Sequence, residues 1–255
     1  MRAIEDDPGD VGAPLDRWRL AGLDRCRIEL GDLAVERIAG DVISIVTRSR
    51  LVTGGGEEIA EERTLIVTGD GSAHLSHRFE VPASLADVPR LGVRLLVPGG
   101  LGDLEWFGEG PHETYRDRRA SGLLARHRSS VADRYVPYIR PQEHGNVTGL
   151  RWFALRDPDG DGLLASLDGI GEGKATLYPD AELEAARHTC DLAPSTLVHL
   201  HLDVAQRGLG TGSCGPQTLS RYRITAGLHR LSYRILPLAG ASDPAREHRL
   251  RRLDR

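Results

Sequence analysis

Residues 197–204 read LVHLHLDV, and their strict alternation decides the fold class. Val198, Leu200 and Leu202 fall on one face of an extended strand, since side chains alternate between the two faces with a period of two. The opposite face carries polar residues: His199, His201 and Asp203. Residues 26–30, 91–97 and 233–235 repeat this period. The pattern predicts strands whose inner face is apolar.

Turn sequences separate these strands. Residues 54–56, 69–72, 98–100 and 157–162 are rich in glycine, aspartate and proline, the residues that tight turns require. The one convincing helix covers residues 180–187, with Asp180 placed to cap it. A chain of many short strands without alternating helices predicts an all-β fold, a large antiparallel sandwich with one short helix. A (β/α)₈ barrel is excluded, because it needs eight helices.

Composition narrows the class further. The formal net charge is −4, which gives no basic field for nucleic acid, and no apolar run is long enough to span a membrane. The three cysteines lack metal-ligand spacing, so we expect free thiols and a cytoplasmic protein without a signal peptide. Lys174 is the only lysine, which we attribute to an arginine-rich coding bias. We divide the chain into an N-terminal arm (1–22), a sandwich domain (23–240) and an arginine-rich tail (241–255).

Two patterns have the form of metal sites, and we interpret both as structural. Asp157, Asp159 and Asp161 copy the start of a calcium-binding loop, but their strand-like flanks favour a hairpin turn. His199 and His201 with the following carboxylate could hold zinc, yet alternation alone favours a polar strand face, solvated or lining a cleft. We therefore predict no metal site.

Three further segments stand out: WFGEGPHETYRDR at 106–118, YVPYIRPQEHGN at 135–146 and GLGTGSCGP at 208–216. The third is too glycine-rich for a core and predicts an exposed, irregular loop, a common setting for binding residues. Arg116 and Arg118 flank Asp117 beside Glu113, which predicts an ion-pair cluster that fixes a loop. No carboxylate lies in a context that predicts a raised pKa, so we assign no catalytic residue. The candidates for sugar-facing or interface positions are Trp106, Glu113, Tyr115, Asp117, Arg118, Glu143 and Asn146.

In order and spacing, these three segments resemble the C-terminal small-chain domain of the large β-galactosidases of glycoside hydrolase family 2. The resemblance extends from about Arg17 to Leu238. It implies a supersandwich similar to galactose mutarotase, which packs beside a catalytic barrel and lends one loop to its sugar pocket. That loop corresponds to residues 211–216. The implied substrate-binding residues are Gly212, Ser213, Cys214 and Gly215.

The resemblance also implies what this chain lacks. The catalytic glutamates and the principal metal sites of the family lie in the barrel, so no cofactor is expected here. The expected partners are a barrel-bearing large chain, or upstream domains, and a β-galactoside. The chain could be a separate subunit, a truncated product or an excised domain. If it docks on such a partner, its surface should carry an apolar patch.

Two alternatives remain. A mutarotase-like epimerase would use His188 or His199 with Glu143 as general acid and base. A carbohydrate-binding module would bind sugar without any partner.

Overall fold

The computed structural model describes residues 14–209 and 218–253, with three short α-helices, eleven β-strands and four 3₁₀ turns. The strands are β1 Arg27–Ala39, β2 Val42–Val52, β3 Glu58–Val67, β4 Ala73–Val81, β5 Arg90–Pro98, β6 Asp103–Gly110, β7 Leu123–Ser130, β8 Val147–Arg156, β9 Gly162–Thr176, β10 Leu197–Gln206 and β11 Gly227–Leu238. The helices are α1 Pro14–Leu20, α2 Asp180–Ala185 and α3 Pro244–Leu253, and the 3₁₀ turns are Ala83–Leu85, Ala132–Arg134, Thr189–Asp191 and Ser220–Tyr222. The predicted all-β class is confirmed, although the helices number three and not one.

The strands form one antiparallel sheet that does not close into a barrel. Its main path runs β1-β2-β3-β4-β11-β9-β8-β6-β7, and β10 branches from β9 to pair with β5. Strand β8 pairs with both halves of β9 along one edge, whereas along the other edge the first half of β9 pairs with β11 and the second half with β10. Strand β9 therefore joins the main path to the branch, and its second half carries residues of the site described below.

The core lies where the apolar faces of these strands meet. The inner residues predicted for β10, Val198, Leu200 and Leu202, are fully buried there. They belong to the same cluster as Tyr233 of β11 and Phe153 of β8. The alternation of β10 thus predicted its apolar face correctly.

Helix α2 begins where the sequence predicts it, but the predicted cap is wrong. Pro179 occupies the N-cap position, and no side chain caps the helix. Asp180 instead directs its carboxylate to the Lys174 ammonium at 3.1 Å. An ion pair to a buried cation is the stronger interaction, since hydrogen bonds to charged groups are worth more than neutral ones.

Both terminal helices pack against the sheet domain. Trp18 of α1 is buried and donates its indole Nε1–H to the carbonyl of Asp87 at 2.7 Å. His248 of α3 is buried and shares a 2.7 Å hydrogen bond with Ser166 of β9. Between residues 14 and 253, leaving aside 210–217, no helix has the length and apolarity that crossing a membrane requires.

Candidate functional site

Two of the three segments singled out in the sequence, and the strand that leads to the third, meet at one buried carboxylate, Glu172 of β9. Arg116 donates its Nε–H to Glu172 Oε1 at 2.6 Å. Glu172 Oε2 accepts the side-chain amide of Asn146 at 3.4 Å and the backbone N–H of Gln206 at 3.1 Å. Residues 106–118, 135–146 and the approach to 208–216 are therefore tied to a single point in the fold.

Asp117 holds the start of the glycine-rich loop. Its Oδ1 accepts the backbone N–H of Leu209 at 2.9 Å. A Cβ on Gly208 would lie 2.4 Å from the carboxylate carbon of Asp117, so only glycine allows this close approach. At the other end of the loop, Thr218 donates its hydroxyl to the carbonyl of Gly208 at 3.4 Å. The described residues that flank 210–217 are thereby held, Leu209 by Asp117 and Thr218 by Gly208.

The predicted substrate-binding residues belong to this loop and lie outside the described residues: Gly212, Ser213, Cys214 and Gly215.

Glu113 forms a second anchor between the first two segments. Its Oε2 accepts the backbone N–H of Gly145 at 2.7 Å. Its Oε1 accepts hydrogen bonds from Arg118 and from the hydroxyl of Tyr138. The Arg118 guanidinium also lies 5.0 Å from the centre of the Tyr115 ring, a cation–π contact. Of the ion-pair cluster that the sequence predicts here, the pair of Arg118 with Glu113 is present, whereas Arg116 pairs with Glu172. The Glu113 contacts tie residues 113–118 to residues 138–145.

A buried ionic cluster lies on the polar side of β9 and β10. Lys174 is completely buried, and its Nζ donates to Glu143 Oε2 at 2.7 Å and to Asp180. Arg90 of β5 forms an ion pair with Glu143 at 2.7 Å from Oε1 and lies 3.3 Å from Asp203 Oδ2, and the angles of both contacts fall short of hydrogen-bond geometry. We call this set the Lys174 cluster: Arg90, Glu143, Lys174, Asp180, His201 and Asp203.

The cluster overturns one sequence interpretation. The polar face of β10 is not solvated, since His199, His201 and Asp203 are all buried. His201 faces Arg90, with 3.2 Å between its Nδ1 and Nη1 of the guanidinium. No group of three or more histidine, cysteine, aspartate or glutamate side chains in the described parts of the chain is arranged to bind a metal ion.

Burial and charge set the protonation states in the cluster. Burial opposes ionisation of Glu143, but Arg90 and Lys174 outweigh it and lower its pKa. Asp180 behaves in the same way, so its pKa is also lowered. For Asp203 burial prevails and raises the pKa to about 8. Burial, together with the two cations, lowers the pKa of His201 well below its ordinary value.

These states do not favour acid–base catalysis by Glu143. A general acid or base near neutral pH needs a pKa near the working pH and access to the substrate. Glu143 is buried, has a lowered pKa and contacts two cations. Of its two candidate partners in an epimerase, His188 is exposed, whereas His199 is buried and burial lowers its pKa. The cluster acts as a charged internal support.

Two aromatic candidates belong to the interior. Trp106 and Tyr115 are each 1% exposed, and the guanidinium of Arg134 lies 4.7 Å from the centre of the Trp106 ring. Neither ring is available to a sugar in this structure, and both support the segment that leads to Asp117.

A surface pocket of about 340 Å³ adjoins Glu172. Its polar and aromatic lining residues include Arg116, Arg119, Thr148, Glu172, Arg221 and Tyr222. The pocket thus lies beside the support of loop 210–217.

Sequence reasoning missed several residues that matter here. Arg90 and Glu172 lie outside the three segments, and nothing in their immediate context marks them. Asp180 was assigned as a helix cap and not as a partner of Lys174. Lys174 did carry a signal, because it is the only lysine in a chain with 33 lysine and arginine residues. A lone lysine in an arginine-rich protein indicates a position where a compact ammonium is needed.

Comparison with known proteins identifies the family. The chain matches the family model described as "Beta galactosidase small chain" over residues 1–236. It therefore belongs to the β-galactosidase small-chain family.

The similar curated proteins carry the name β-galactosidase. The protein from Arthrobacter sp. (strain B7) is 32% identical over 86% of this chain and 22% of its own length. The Priestia megaterium protein is 33% identical over 58% of this chain and 14% of its own. The Streptococcus thermophilus protein is 26% identical over 93% of this chain and 23% of its own length. The chain thus spans about a fifth of the length of the curated relatives it matches.

Proposed function

We propose that this chain is the non-catalytic part of a β-galactosidase, and that it assembles with a barrel-bearing catalytic part and completes its sugar pocket through residues 212–215. Its family and the names of its relatives support this assignment. The share of those relatives that it spans leaves most of their length for the catalytic part.

One observation carries the proposal. Glu172 holds Gln206, Asp117 holds Leu209, and Thr218 bonds to Gly208, so the described residues that flank 210–217 are fixed. A loop that contributes to a pocket in another protein part must be presented in one conformation, because small misplacements cost much of the catalytic rate. These contacts hold Leu209 and Thr218, the described residues on either side of it.

The remaining candidates take positioning roles in this proposal. Glu113 and Arg118 hold the segment that bears Asp117, and Asn146 orients Glu172. Glu143 holds the segment 135–146 against β9 and β5 through its ion pairs with Lys174 and Arg90. Contact with the sugar is assigned to residues 212–215, and no cofactor is assigned to this part of the enzyme. Cys26 and Cys190 are free thiols, which supports a reducing, cytoplasmic setting.

The test is hydrolysis of a chromogenic β-galactoside by a mixture of this chain and a barrel-bearing catalytic chain from the same genome. Gly208→Ala should lower kcat of the mixture about tenfold or more, because the new methyl group displaces Asp117 and the loop with it. Gly100→Ala is the matched control, since nothing lies within 4 Å of its Cβ position. It should behave as the wild type.

Two results would contradict the proposal. Hydrolysis by this chain alone would show that it carries its own catalytic groups. Wild-type activity of the Gly208→Ala mixture would show that the position of loop 210–217 is irrelevant to the pocket.

A further inference from the structure

The side of the sheet that faces the core extends past the core on its outermost strands, where its residues are exposed to solvent. In an antiparallel sheet, residues directly opposite each other on neighbouring strands share a face. The row Val35, Ile45, Leu65, Leu75, Tyr233 crosses five strands from β1 to β11 in this way. Its exposure falls from 61% at Val35 to 1% at Tyr233, so one end of the row lies in the core and the other in solvent.

A second row gives the same result. Ile28 of β1 lies opposite Leu51 of β2, which lies opposite Ile59 of β3. Ile59 belongs to the buried core and Leu51 packs against it, whereas Ile28 is exposed. The exposed residues of β1 are therefore the outer part of the core face. We call this region the uncovered face, formed by Ile28, Leu30, Leu33, Val35, Ile43 and Val67.

The opposite face of the same strands is polar, as a solvated face should be. Arg48, Glu62 and Arg78 lie opposite one another on β2, β3 and β4, and Arg48 and Glu62 form an ion pair at 2.9 Å. The rows that contain Ile28 and Val35 lie on the side away from these charges, so the uncovered face follows from the alternation of these strands.

The edge adds a second reason to expect a covering partner. Strand β1 is 13 residues long and pairs only with β2 in the described sheet, so the backbone groups of its other edge are unpaired. Long, apolar edge strands promote aggregation, and proteins normally cover them. Contiguous exposed apolar patches mark interaction sites.

We propose that the uncovered face is the surface on which the chain docks to the catalytic part of the β-galactosidase, an inference that rests on the proposed function. In the relatives, the matched segment belongs to a chain about five times as long, and the rest of such a chain is large enough to cover the uncovered face. A face that continues a hydrophobic core is typical of permanent interfaces, which resemble a domain core cut in two.

The test compares two double variants of this chain with the same change in net charge. Leu30→Lys with Val35→Lys places two charges on the uncovered face. Glu36→Gln with Ala34→Lys changes the polar face of the same strand, where both residues are also exposed. All four positions are exposed, so both variants should keep the circular dichroism spectrum and melting temperature of the wild type.

Binding to the separately purified catalytic chain is measured by biolayer interferometry, with β-galactoside hydrolysis measured in parallel. The uncovered-face variant should bind about tenfold or more weakly, because buried unpaired charges oppose association. Its hydrolysis should fall at limiting concentration and recover at high concentration, whereas the polar-face variant should match the wild type.

The outcomes separate the two proposals. If the wild type binds the catalytic chain and both variants bind equally well, the docking surface lies elsewhere and the inference fails while the proposed function stands. If the wild type neither binds nor activates the catalytic chain, the proposed function fails first. If sedimentation shows a dimer of this chain that only the uncovered-face variant disrupts, with catalytic-chain binding unchanged, the face serves a second copy and the inference is wrong.

Discussion

Charged residues usually lie at the surface and apolar residues in the interior. The Lys174 cluster places charges in the interior, whereas the uncovered face places apolar side chains in solvent. Lys174 is a cation with no solvent exposure, whereas Leu30 is an aliphatic residue that is 76% exposed. The first costs desolvation energy, and the second forgoes the free energy of hydrophobic burial.

The two regions differ in whether the described part of the chain supplies the groups that contact them. The buried cation has two carboxylates within 3.1 Å, so the domain satisfies it internally. The exposed leucine belongs to a face that the described part of the chain covers only towards β4 and β11. The first region therefore serves the stability of the chain and the support of its loop, and the second serves assembly. Four predictions test this division.

The largest effect is expected from Lys174→Met. The substitution leaves Glu143 and Asp180 buried without their shared ammonium, which should lower the free energy of unfolding by about 3–5 kcal/mol. Urea unfolding of the isolated chain measures this loss. Arg187→Met, at an exposed position, is the control and should change stability by less than about 0.5 kcal/mol. A loss below about 1 kcal/mol for Lys174→Met would show that the cluster is not a structural support.

The next effect concerns Glu172, where the first two segments meet the end of β10. Glu172→Gln removes the charge that accepts hydrogen bonds from Arg116, Asn146 and the backbone of Gln206. Hydrogen bonds to charged groups contribute about 1.5–3 kcal/mol, so urea unfolding should show a loss in that range.

The control for this change is Glu62→Gln, which breaks an exposed pair with Arg48 and should cost less than about 1 kcal/mol. Equal losses for the two variants would mean that Glu172 is no more than a surface charge.

Asp203 predicts a dependence on pH. Its ordinary pKa is 3.8, and burial raises it to about 8 in the folded chain. The folded state therefore binds more protons between these two values. This group's contribution to stability is complete below about pH 4 and is lost as the pH rises through 8, with a slope of at most about 1.4 kcal/mol per pH unit. Asp203→Asn should remove this part of the slope and gain stability relative to the wild type between pH 5 and pH 8.

Urea unfolding at several pH values provides the measurement. Asp32→Asn, at a side chain that is 90% exposed, should keep the wild-type slope. Parallel curves for Asp203→Asn and the wild type would show that Asp203 is ionised in the folded chain.

The smallest effect is expected on the uncovered face. Leu30→Ser should change the free energy of unfolding of the isolated chain by less than about 0.5 kcal/mol, because the side chain is already in solvent. Leu200→Ala, at a fully buried position, should cost about 2–5 kcal/mol in the same assay. A large loss for Leu30→Ser would mean that the chain covers β1 by itself in solution.

The sequence predicted the strands well, because alternation reports directly on an extended backbone. It placed β5 and β10 and their apolar faces correctly. It could not tell which apolar faces would be covered, since Ile28 and Leu30 alternate as regularly as Leu91 and Val93 do. Whether an apolar face is covered depends on how far the strands packed against it extend, which is a property of the tertiary fold.

The site was predicted in part. The three segments were found, and Asp117 and Glu113 act as anchors within them. The burial of His199 and His201 was not predicted, because alternation shows that a strand face is polar but not whether other residues cover that face. The partners of the buried charges are distant in sequence: Arg90 and Glu143 are separated by more than fifty residues, and only the fold brings them to 2.7 Å. The sugar-contacting role of residues 212–215 stays a prediction.

The central claim is that this chain acts only as part of a larger β-galactosidase. The direct test is the rate of hydrolysis of a chromogenic β-galactoside at a fixed concentration of the catalytic chain, measured as this chain is added. The account predicts no hydrolysis by this chain alone and a saturable increase in rate that ends near one equivalent. A rate that stays constant throughout the titration, or hydrolysis by this chain without the catalytic chain, would contradict it.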